Sequence, residues 1–113
     1  MINRCVIIVR AKQPFLDWLL SLPDMLDVSL DEINRDPKAY LLPFIDELSG
    51  QPALLEEFYE QIFEEQLAGW WTVEKDWPEN RTIDLFLNWF DVLFCSWVQD
   101  LVDDEPLEVE EEV

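Results

Sequence analysis

Apolar positions along this chain change period several times, and each change marks an element. Residues 3–11 carry the β-branched run Val6-Ile7-Ile8-Val9 between polar Asn3-Arg4 and Lys12. A continuous run of this kind predicts a first strand buried on both faces. The period then lengthens: Phe15, Trp18, Leu19 and Leu22 recur at helical spacing, with Pro14 pre-setting the first turn and Pro23 stopping it. Ser29-Leu30-Asp31-Glu32 has capping-box spacing, but Pro37 closes off what it starts, so a short helical turn inside a connection is expected. Ala39 to Ile45 reads as a second strand, and Pro43 within it argues for an edge or for a strand that ends there.

Ser49-Gly50-Gln51-Pro52 opens the longest helix, whose apolar stripe is Leu55, Phe58, Tyr59, Ile62, Phe63 and Leu67, with Gly69 at the usual C′ position. Glu56, Glu60 and Glu64 stack on the opposite side at successive i, i+4 positions, each pair mildly repulsive and none relieved by a lysine. After the indole-rich connection Trp70-Trp71 to Trp77-Pro78, Thr82 can cap a segment carrying Ile83, Phe86, Leu87 and Phe90 at helical spacing. From Val92 to Val102 the pattern fits both a continued helix, through Phe94, Trp97, Val98 and Leu101, and a strand over 92–98. A short helix followed by a strand is preferred, because two strands alone make a marginal sheet. The order is then β-α-β-α-α-β: a small three-stranded sheet covered by helices, in the α+β or α/β class.

Charge adds a boundary that periodicity does not show. The 113 residues hold 26 Asp and Glu, 7 Lys and Arg and no histidine, for a net charge of -19. Eight of the acids and none of the bases fall in residues 100–113, so residues 1–99 hold 18 acids and seven bases, a net of -11. One globular domain over 1–102 and a disordered acidic tail over 103–113 are expected. With 50% apolar residues and six tryptophans, the body carries too much burial potential for a disordered acidic protein.

The same charge bears on partners. It repels phosphate backbones and anionic lipid, which argues against direct nucleic-acid or membrane-surface binding and for a basic protein surface. The run Cys5 to Val9 is too short for a signal peptide, and no stretch approaches the ~20 apolar residues that span a bilayer. A cytoplasmic location is therefore expected. Cys5 and Cys95 lie among apolar neighbours without CxxC spacing, which favours buried free thiols over a disulfide or a metal pair.

Candidate chemistry is sparse. Without histidine the chain lacks the commonest general base and zinc ligand, and neither GxGxxG nor GxxxxGK[ST] occurs, so no cofactor is expected. Glu56, Glu60 and Glu64, or Asp91 with Asp100, are the carboxylates on which a divalent-cation enzyme or sensor would rest, but no loop of DxDxDG type accompanies them and no metal ligand is assigned. Arg4, Arg10 and Arg81 are read as ion-pair partners of the abundant acids. The indoles are the better binding feature. Adjacent Trp70 and Trp71 do not both fit one core, so Trp70, Trp71 and Trp77 with the acidic rim Glu56, Glu60 and Glu64 form the candidate partner-binding set. Against this stands a purely structural role, in which Trp71 and Trp77 fold the connection back on the core.

The segments Lys12-Gln13-Pro14-Phe15-Leu16-Asp17-Trp18, Ala39-Tyr40-Leu41-Leu42-Pro43, Trp77-Pro78-Glu79-Asn80-Arg81 and Trp89-Phe90-Asp91-Val92 resemble a family of small acidic bacterial proteins of unknown function. The resemblance implies a bacterial, cytosolic, single-domain protein and carries over no functional residue. The leading expectation is therefore a non-enzymatic module binding a basic surface, with imitation of nucleic-acid charge as one form of it. A cation-dependent enzyme and a regulatory homo-oligomer built on exposed aromatics are the alternatives.

Overall fold

The computed structural model describes residues 4–23, 27–45 and 48–102. The acidic tail over 103–113 lies outside the described residues. Within them the elements are β1 (Arg4–Ala11), α1 (Gln13–Leu20), α2 (Leu30–Ile33), β2 (Lys38–Pro43), α3 (Gln51–Ala68), α4 (Ile83–Trp89) and β3 (Phe90–Cys95), with 3₁₀ turns at Leu48–Gly50 and Glu74–Asp76. The sheet order is β2-β1-β3, and both pairings are antiparallel. The class is α+β, with β1 central and β2 and β3 as edges.

The local signals act as their chemistry dictates. Pro14 sits in the first turn of α1 and Pro52 in that of α3. Ser29 Oγ accepts from the Glu32 backbone N–H at 3.2 Å, capping the start of α2, and its hydroxyl donates to Glu32 Oε1. Thr82 Oγ1 accepts from the Leu85 N–H at 3.2 Å and starts α4. β2 ends at Pro43, on an edge of the sheet, where a proline is tolerated.

Cys5, Ile7, Val9 and Ala11 of β1 face the helices and are buried, joined by Leu42 of β2 and Phe90 of β3. Phe15, Leu19, Leu54, Leu55, Ile62, Phe63, Leu67 and Phe86 close the core from α1, α3 and α4. Its centre is aromatic. Phe63 lies 5.6 Å from both Phe86 and Phe90, and Phe15 lies 5.2 Å from Phe90, in tilted and edge-on contacts.

Several sequence expectations are corrected. β1 is buried on one face only: Val6 and Ile8 point to the other side with Leu41 and Leu93, and none of the four belongs to the core cluster. A β-branched run cannot distinguish a strand covered twice from one covered once, because both satisfy the same backbone preference. Phe90, expected on the helical stripe, opens β3, while Trp97 and Val98 lie beyond the end of that strand, Trp97 at 77% exposure. Gly69 takes φ -62°, an ordinary right-handed value, so α3 does not end on a left-handed glycine. Trp71 N–H bonds Leu67 O at 2.8 Å and carries the turn onward. Cys95 is half-buried, whereas Cys5 is fully buried; both are free thiols.

Candidate functional site

The connection 70–77 is built by its indoles. Trp18 Nε1 donates to Asp76 O at 3.0 Å, Trp71 Nε1 to Asp76 Oδ2 at 3.0 Å and Trp77 Nε1 to Trp71 O at 2.8 Å. One acidic residue thus holds two indoles, and a third closes the loop on itself. Trp71 and Trp77 are half-buried and pack on the core, so their polar edges are spent within the fold. Trp70 differs, at 39% exposure on the lip of a hollow of about 190 Å³ that also reaches Asp36, Lys38 and Glu65.

Glu56, Glu57, Glu60 and Glu64 are exposed along α3. Arg81, from the segment before α4, reaches this side: Nη2 lies 3.3 Å from Glu64 Oε1, and Nη1 donates to Pro78 O at 2.9 Å. Its guanidinium also sits 5.7 Å from the Trp77 ring centre. Glu60, Glu64, Glu79 and Arg81 together surround an open polar depression. On the other flank of α3, Lys38 from β2 pairs with Glu65, and Tyr40 Oη accepts from Gln66 Nε2 at 2.8 Å. Near the start of the row, partial burial pushes the Tyr59 hydroxyl up, and the charges of Glu60 and Glu56 push it further the same way.

The sequence-selected residues therefore fall in two places. Glu60 and Glu64 share a depression, with Trp77 beside them through Arg81, while Trp70 borders a separate hollow with Asp36 and Glu65. Trp71 joins neither as a free surface. Asp36, Glu65 and Glu79 line these hollows without any distinguishing mark in the sequence; among 26 acids nothing local sets them apart. Among the described residues, no group of three or more Asp, Glu, Cys or His is placed to hold a metal ion. No helix of the described residues is long and apolar enough to cross a membrane.

No protein-family model, curated protein or solved structure matches this chain.

Proposed function

We propose that this chain is a non-enzymatic interaction module that takes a Lys- or Arg-rich protein segment along the acidic side of α3. The observation that supports it is the row Glu56, Glu57, Glu60 and Glu64, exposed together on one long helix, with Arg81 reaching only its C-terminal end. The carbonyl end of a helix is itself negative and is normally offset by cations in the last turn, and α3 has no basic residue there. A cationic partner segment would supply what the helix lacks. Such an interface is electrostatic, so it governs association rate and salt dependence more than it fixes one sequence.

The test is a titration of the full chain with a Lys/Arg-rich peptide, monitored by calorimetry or backbone NMR. Binding is expected to weaken by about tenfold or more between roughly 50 and 500 mM NaCl. Replacing Glu56, Glu60 and Glu64 together by Gln should weaken it at low salt, and Arg81→Ala should strengthen it. Binding that ignores all four residues would overturn the reading.

A further inference from the structure

The hollow at Trp70 opens on the helix side of the sheet rather than on its open face, because Val9 and Ala11 of β1 and Glu65 and Gln66 of α3 line it. Its volume, about 190 Å³, falls below the ~300–1,000 Å³ of sites that enclose a drug-sized ligand and suits a single side-chain-sized group. Trp71 and Trp77 direct their indole N–H groups into the loop, whereas among the described residues the Trp70 indole makes no hydrogen bond or ring contact. At 39% exposure its ring is available to whatever enters.

The charges around the hollow are unbalanced. Lys38 pairs with Glu65 and lies 5.7 Å from the Tyr40 ring, so its own charge is neutralised. Asp36 has no ion-pair partner among the described residues, which leaves the three groups with one net negative charge. The hollow also borders the carbonyl end of α3. There the Trp70 N–H that would close on Gln66 O turns to Leu67 O at 3.1 Å, and Gln66 O lacks its usual helical donor. A helix end of this kind favours a cation, and α3 has no basic residue in its last turn.

We infer that this hollow is a binding site for one guanidinium group, that of an arginine carried by a partner protein. Asp36 meets the planar fork with its carboxylate, Trp70 stacks on the guanidinium, and the apolar lining of Val9, Ala11 and Ile33 receives the methylene stem. Lysine fits less well, since its compact ammonium is more strongly hydrated and neither stacks nor forks. Free arginine also fits less well, because it brings a carboxylate into the field of a chain of net charge -19. The site does not rest on the acidic row of α3, since it uses none of Glu56, Glu60 and Glu64.

The test is an NMR titration of the labelled full chain with N-acetyl-arginine amide. Saturable shifts are expected at Asn34, Gly69 and the Trp70 indole N–H, which line the hollow. The citrulline analogue, of the same shape without the charge, should produce almost none. Asp36→Asn should weaken binding about tenfold and Trp70→Leu about fivefold, with Trp70→Phe between wild type and Trp70→Leu. Unmoved methyl resonances of Ile7, Leu19 and Leu67, in the core, show that each variant folds. Replacing Glu56, Glu60 and Glu64 together by Gln should leave the shifts at the hollow in place, so failure of the α3 row and failure of this site read out separately. A citrulline analogue that binds as well as the arginine amide would overturn the proposal. So would shifts confined to Glu60, Glu64 and Arg81, or free arginine bound as tightly as the amide.

Discussion

Cys5 shows how one side chain ties the fold to pH. It lies in the core at the start of the central strand, its Sγ 3.3 Å from the Pro43 carbonyl across the β1–β2 pair. Burial pushes its thiol up from the ordinary 9.0, and a backbone hydrogen bond offsets part of that rise. The unfolded chain therefore loses this proton first. Stability is fully present below the ordinary thiol value and falls as pH climbs through the higher folded one. Tyr40 adds to the same trend from 10.0 upward, its hydroxyl raised by burial and partly lowered by the bond from Gln66. Denaturant melts of the wild type between about pH 8 and pH 10 should show a declining midpoint. Cys5→Ala should start lower, because it leaves a small cavity, and should decline less steeply over the same range. Cys5 is legible as a core residue because apolar neighbours surround it in the strand. Cys95 has neighbours of the same kind, and the same argument fails for it because strand alternation turns Cys95 onto the open face.

At the scale of elements, legibility tracks periodicity. The long helix, both proline-opened helices and the capped starts at Ser29 and Thr82 rest on repeats and caps that act within a few residues, and a sequence displays these directly. The features it hides depend on one polar side chain acting at a distance. β2 pairs with β1 only as far as Lys38 opposite Val9, so the backbone of Ala11 passes beyond its end. Asn34 completes the pairing there: its Oδ1 accepts from Ala11 N at 2.8 Å and its Nδ2 donates to Ala11 O at 2.9 Å. A side-chain amide thereby stands in for a strand residue. Asn34→Ala should cost about 1–3 kcal/mol, the expense of leaving partly buried backbone groups unpaired, measurable by denaturant unfolding with exchange of the Ala11 amide accelerated. The role of Asp76 as the acceptor that clasps Trp18 and Trp71 escapes sequence reading for the same reason. Adjacent Trp70 and Trp71 crowd one core and so read as surface anchors, whereas Trp71 and Trp77 follow the structural alternative, turning inward because the loop itself supplies their acceptors.

For the molecule as a whole, charge works against compaction. The ion pairs Lys12–Asp91, Lys38–Glu65 and Arg81–Glu64 all involve exposed side chains, and exposed pairs contribute about 0–1 kcal/mol each. They do not offset a net charge of -19. Screening should therefore stabilise the fold: raising NaCl from about 20 to 200 mM, which brings the screening length below ~10 Å, should raise Tm by a few degrees. A thermal-shift series at several salt concentrations checks this, and a falling Tm would show that favourable pairs outweigh repulsion.

The strand order has a consequence for how the chain is made. The middle strand of the sheet is the first to be synthesised, and one of its two partners, β3, is the last element described. Until residues 90–95 leave the ribosome, Ile7 and Val9 have only β2 beside them, and a two-stranded sheet is marginal in water. Helices α1 and α3 make their backbone bonds locally but draw most of their stability from packing, and the surface they cover is incomplete until then. Folding of this domain is thus held back until residues 90–95 have emerged, and a ribosome stalled before residue 90 carries a chain with its apolar core still open.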